Sequence, residues 1–167
     1  MSFKDAVALT LMFEGGTNHT LHDRGGLTKW GISEANYPIV NSKDFSKEDA
    51  KDIYLSDYWF RTSCNLFCKP VALSLFDSAV NCGQSSAVKW LQESSNLAGS
   101  SLVVDGIMGS KSIAAIKSLP PYIALLGMSG YRLNRYYRLV KQHPDQMKFI
   151  QGWINRVSKL QLAIIKG

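Results

Sequence analysis

Apolar and polar residues alternate along this chain almost everywhere with the period of an α-helix. Phe3, Val7 and Leu11 recur at helical spacing and predict a first helix over residues 3–14. A glycine-rich loop, Gly15 to Gly31, follows, and Ser33 to Tyr37 reads as a short helical turn ended by Pro38. Ser46-Lys47-Glu48-Asp49 has the form of an N-terminal cap and predicts a helix running to Tyr58 or Trp59. Pro70 suits the first turn of a helix carrying Leu73, Phe76, Asp77, Val80 and Asn81. Further helices are expected over 85–95, over 110–119 with Ser110 as cap, over 122–142, and over 146–165 after the His143-Pro144 break. The expected fold class is therefore mainly α, with at most a small β-hairpin in the Gly15–Gly31 loop.

Composition narrows the class. The 167 residues are 46% hydrophobic and 19% charged, which excludes disorder, collagen and a toxin-like disulfide scaffold. No apolar run approaches the roughly 18 residues of a membrane span. The first residues, Met1-Ser2-Phe3-Lys4-Asp5, lack the pattern of a secretory signal, so synthesis in the cytoplasm is expected. Three cysteines, Cys64, Cys68 and Cys82, give no closed disulfide set and no metal-ligand pairing; Cys64 and Cys68 read best as small buried hydrophobes. No cofactor is expected, and no metal: His19 and His22 stand at i, i+3 spacing in a loop. Gly109-Ser110-Lys111-Ser112 lacks the glycine spacing of a phosphate loop, and no Gly-x-Ser-x-Gly elbow is present.

Charge is unevenly placed. Through Gly83 the chain carries 8 basic and 10 acidic residues; beyond it, 11 and 3. An excess of eight positive charges in one half suggests an anionic polymer as partner. Arg132, Arg135, Arg138 and Lys141 place a cation every three residues on one helix, either as a solvated face or as a contact for acidic wall polymer or lipopolysaccharide.

The candidate chemistry lies where the first helix ends. Glu14 continues the stripe of Phe3, Val7 and Leu11, so its carboxyl faces the buried side. Desolvation and the negative end of the helix both favour the protonated acid, which suits a general acid. Glu14 could instead pair with an arginine. Asp23, followed by Gly25-Gly26 and Thr28, brings a second carboxylate and a hydroxyl into the same loop. Two carboxyl groups flanking a bond are the minimal apparatus of glycoside hydrolysis.

Glu14-Gly15-Gly16 followed by Asp23-Arg24-Gly25-Gly26-Leu27-Thr28-Lys29-Trp30-Gly31-Ile32 resembles the family 108 glycoside hydrolases, N-acetylmuramidases of the phage endolysin and bacterial secretion-activator type. Phe76-Asp77-Ser78-Ala79-Val80-Asn81-Cys82-Gly83, Leu91-Gln92, Asp105-Gly106-Ile107-Met108-Gly109 and Gly152-Trp153-Ile154-Asn155-Arg156 resemble the predicted peptidoglycan-binding region that follows in that family. The resemblance implies a lysozyme-like, two-lobed helical fold, with a catalytic lobe over 1–69 and a helical peptidoglycan-binding region over 70–167 packed as one unit. It places the essential glutamate on Glu14, and the Glu-Asp-Thr trio of phage-type lysozymes on Glu14, Asp23 and Thr28. One departure is Thr17, which stands where the family has Tyr.

The implied reaction is cleavage of the β-1,4 bond between N-acetylmuramic acid and N-acetylglucosamine, for host-cell lysis or wall remodelling. The implied partner is the peptidoglycan glycan strand, the expected state a monomer, and the workplace the periplasm or wall after holin-type release or dedicated secretion. Trp30 and Tyr58 are candidate sugar contacts among the aromatics Trp30, Tyr37, Tyr58 and Trp59. Asp77 and Asn81, four apart on a helix, either reach the saccharide or form a buried polar pair. Two other readings compete. A basic helical nucleic-acid binder leaves Glu14 and its loop unexplained, so no nucleic acid is expected; a non-hydrolytic peptidoglycan-binding or secretion-assisting protein is kept open by Thr17.

Overall fold

The computed structural model describes residues 3–14 and 27–166. The chain divides into two compact units, Met1–Phe60 and Arg61–Gly167. Helix dominates both, and among the described residues the strands form one two-stranded hairpin.

In the first unit, α1 spans Phe3–Glu14 and buries Ala6, Val7 and Thr10. The buried line is centred about 50° around the helix from the expected stripe. Phe3 and Leu11 are its half-buried shoulders, and Phe3 meets Trp59 edge-on at 5.8 Å. Strands β1 (Thr28–Lys29) and β2 (Ile32–Ser33) pair antiparallel, with Lys29 opposite Ile32. The two residues between them, Trp30 and Gly31, have φ of +55° and +81°. Positive φ at both central positions is the signature of a type I′ turn, whose twist matches that of the flanking strands. Trp30 in that conformation costs about 1–2 kcal/mol, because its Cβ crowds the following carbonyl.

The segment expected as a turn ended by Pro38 is β2, a turn and a 3-10 helix over Pro38–Asn41. Proline opens that helix instead of ending one, since its fixed φ and missing N–H suit a first turn. Helix α2 (Lys47–Ile53) begins at the expected cap: the Asp49 amide donates to Ser46 Oγ at 3.2 Å, and the Ser46 amide donates to Asp49 Oδ2 at 2.7 Å. It then widens into a π-helix over Tyr54–Phe60, so the helical span predicted to Tyr58 or Trp59 is present with a change of winding.

The second unit is built on three helices: α3 (Lys69–Cys82), α4 (Gln84–Leu97) and α6 (Pro121–Gln142), joined by α5 (Ser110–Ser118) and α7 (Ile150–Lys166). Gly83, at φ +89°, both ends α3 and opens α4. Ser110 is the first residue of α5, and Gly109 takes the cap position expected for the serine. A 3-10 turn, Pro144–Phe149, separates α6 from α7. The buried Gln92 fastens the 105–107 turn: its amide donates to Asp105 Oδ1 at 2.9 Å and its carbonyl oxygen accepts from the Gly106 amide at 3.0 Å.

Cys64 is buried, and burial pushes its thiol up to about 12. Cys68, expected buried alongside it, is exposed because it caps α3 instead of lying on a helix face with Cys64.

Candidate active site

Glu14 is the last residue of α1 and is half-buried. The Trp30–Gly31 turn closes over it. A Cβ placed on Gly31 would lie 2.7 Å from Glu14 Cγ and 2.5 Å from the Tyr54 hydroxyl, so only glycine fits there. Tyr54 reaches the same turn from the start of the π-helix and donates to the Trp30 carbonyl at 3.0 Å. The acid is thus held by three elements: the end of α1, the hairpin turn and the π-helix.

The π-helix contributes more than Tyr54. Widened turns of this kind re-aim side chains and occur often at functional sites. Here Asp57 and Tyr58 project from it. The Tyr37 hydroxyl donates to Asp57 Oδ2 at 2.9 Å, and Ser56 donates to Asp57 Oδ1 at 2.8 Å. Tyr58 is raised above the ordinary phenol range, first by burial, opposed by its hydrogen bond with Tyr37, and further by the negative charges of Asp57 and Glu14. Tyr37 is raised by burial and by its bond to Asp57. A chain Asp57–Tyr37–Tyr58 therefore ends in the electrostatic field of Glu14.

Trp30 joins this site to a groove of about 720 Å³ along the outer side of α1, lined by Phe3, Val7, Leu11 and Met12 with Lys47 across from them. Lys47 Nζ stands 5.7 Å from the Trp30 ring centroid, a cation–π distance.

Of the residues singled out from sequence, Glu14, Trp30 and Tyr58 gather in this unit, and Thr28 begins β1 two residues before the turn. Asp23, Thr17, His19 and His22 lie outside the described residues. Trp59 is core. Tyr54 and Asp57 were not anticipated. Tyr54 reaches the turn through a bond to a residue 24 positions away, and Asp57 is tied to Tyr37, 20 positions away, pairings that local spacing does not reveal.

Asp77 and Asn81 belong to a different structure, in the second unit. Asp77 is 1% exposed, and both its oxygens are taken: Arg132 Nη1 donates at 2.6 Å and Arg156 Nη2 at 2.8 Å. Arg132 Nε donates to the Tyr136 hydroxyl, which donates in turn to Asn81 Oδ1, each at 2.6 Å. Burial alone would raise the Asp77 pKa, but Arg156 and Arg132 outweigh it and hold the carboxyl below its ordinary range. Asp77 belongs to a buried polar network that reaches the half-buried Asn81 through Arg132 and Tyr136, and the saccharide-contact reading does not fit an Asp77 carboxylate closed off by two guanidinium groups.

The cation stripe is corrected too. At 100° per residue a three-residue spacing drifts around the helix, so Arg132 turns inward to 1% exposure while Arg135 and Arg138 stay on the surface.

Comparison with known proteins agrees with this geometry. Residues 7–83 match the family described as Glycosyl hydrolase 108, and residues 86–158 match one described as Predicted Peptidoglycan domain. The solved structure of Brucella abortus SagA is similar over 98% of this chain and 94% of its own, at 26% identity and a TM-score of 0.80. No curated protein matched. The hydrolase match ends at Gly83, the residue between α3 and α4, and so includes a helix that packs within the second unit. A half-buried carboxyl at a closed turn, followed by a stretch that matches a peptidoglycan domain, is the organisation of a glycosidase directed at peptidoglycan, and residues 7–83 are similar to the glycosyl hydrolase 108 family.

Proposed function

We propose that this protein is an N-acetylmuramidase that hydrolyses the β-1,4 bond between N-acetylmuramic acid and N-acetylglucosamine, with Glu14 as general acid. Glu14 gives its proton to the bridging oxygen as the C1–O bond breaks, water adds at C1 of N-acetylmuramic acid, and N-acetylglucosamine leaves as the alcohol. Asp23 stabilises the positive charge that develops at C1 or activates the water, and Thr28 positions that water. Trp30 and Tyr58 contact the sugar. The protein works in the periplasm or wall, reached by holin-type release or dedicated secretion, in host-cell lysis or wall remodelling.

The observation that carries this reading is the seat of Glu14: a carboxyl at a helix end, half-buried beneath a turn that excludes any side chain. A surface glutamate with a purely solvating role has no need of such a turn, least of all one with a tryptophan at positive φ.

Purified sacculi digested with the protein, reduced and analysed by mass spectrometry test the bond assignment. Reduced muramic acid at the new ends is expected. Reduced glucosamine ends, anhydromuramic ends or cleaved stem peptides would each overturn it.

A further inference from the structure

The second unit carries a groove that the hydrolytic site does not use. Helices α4 and α6 meet where Gly127 lies against the Ser94 side chain, with no room for a Cβ. From that contact α4 runs back through Glu93, Trp90, Lys89 and Ser86, while α6 runs on through Tyr131, Arg135 and Arg138. These two stripes enclose a cavity of about 510 Å³. Each follows the i, i+3, i+4, i+7 pattern of a single helix face.

Its chemistry is selective. Lys89, Arg135 and Arg138 line it, are exposed, and make no ion pair among the described residues. Glu93 supplies one negative charge next to Tyr131, whose hydroxyl is raised by burial and then by that carboxylate. The floor is firm: Trp90 is half-buried and packs on the cluster of Cys82, Tyr136 and Val157. Behind it the Asp77–Arg132–Arg156 ion pairs pin α6 to α3 and α7.

We infer that this groove binds the stem peptide of peptidoglycan, with Lys89, Arg135 and Arg138 taking its carboxylates, Glu93 its free amine, and Trp90 and Tyr131 the aliphatic backbone between them. Three cations and one anion around an aromatic floor complement a short peptide that carries several carboxylates and one ammonium. A uniform polyanion such as a phosphodiester wall polymer offers no cation to Glu93 and would leave it facing like charge. Each planar guanidinium group can donate two parallel hydrogen bonds to a carboxylate. The inference rests on peptidoglycan being the polymer the chain acts on, and it assigns the stem peptide to the second unit.

The test uses the full chain and N-acetylmuramyl-tetrapeptide, a probe with no glycosidic bond to cleave, followed by calorimetry and Trp fluorescence. Arg135→Ala combined with Arg138→Ala is expected to weaken binding by about tenfold or more, with an unchanged melting temperature. Amidating the probe's carboxylates is expected to weaken binding to the unaltered protein equally. Equal affinity of the double variant, equal affinity for the amidated probe, or preference for poly(glycerol phosphate) would each overturn the assignment. Because the probe cannot be hydrolysed, the groove can fail while sacculus cleavage stands, and cleavage can fail while the groove stands.

Discussion

Gly31 and Glu14 occupy each other's only available space: a single methyl on Gly31 would come within 2.7 Å of the Glu14 side chain. Turn and acid are therefore one device. Gly31→Ala is expected to move Glu14 and Tyr54 while straining a residue at φ +81°, so turnover on sacculi should fall well before the second unit's helices are affected. Activity assays paired with far-ultraviolet circular dichroism check this; wild-type turnover would mean that the turn does not hold the acid.

Tyr54 is the other constraint on that turn. Tyr54→Phe removes the hydrogen bond to the Trp30 carbonyl and is expected to lower stability by about 0.5–1.5 kcal/mol. Its effect should fall on turnover more than on affinity for the glycan, because the hydroxyl braces the seat of Glu14. A change in KM alone would place Tyr54 among the sugar contacts.

Asp77 is expected to behave as a structural residue. Asp77→Ala leaves Arg132 and Arg156 buried without their anion, a loss of about 3–5 kcal/mol for a broken buried pair. Chemical denaturation should show this as a lower midpoint. A variant of unchanged stability with weakened glycan binding would return Asp77 to the saccharide.

The same ion pairs set a pH dependence. The Asp77 pKa in the folded protein lies below the ordinary aspartate value of 3.8, so their stabilisation is complete above that pH and fades as pH falls through the folded value. Unfolding midpoints measured from pH 6 down to pH 2 should hold until about pH 4 and drop below it, and Asp77→Asn should flatten that fall. An unaltered slope in the variant would assign the acid sensitivity to other carboxylates.

Much of this arrangement was legible in the chain. Ser46 and Asp49 announce the start of α2 because a capping box is a local affair of four residues. Glu14 was readable because helical spacing and two following glycines place it at a helix end. What escaped depends on partners far away or on winding. Asp77 looks like any polar residue four from Asn81 until Arg132 and Arg156, 55 and 79 residues downstream, close on it. Arg132 looks like one more surface cation because a three-residue spacing hides a 60° drift per step. Asp57 and Tyr58 lie in a stretch where the helix widens, and no residue in Tyr54–Phe60 announces that change.

The central claim is that Glu14 supplies the proton, and the most direct measurement is the rate of dye release from labelled sacculi by Glu14→Gln, compared with the unaltered protein at matched melting temperature. The account predicts a loss of about 10²–10⁴-fold with folding intact, as removal of a general acid requires. A well-folded Glu14→Gln that clears sacculi at the original rate would contradict it.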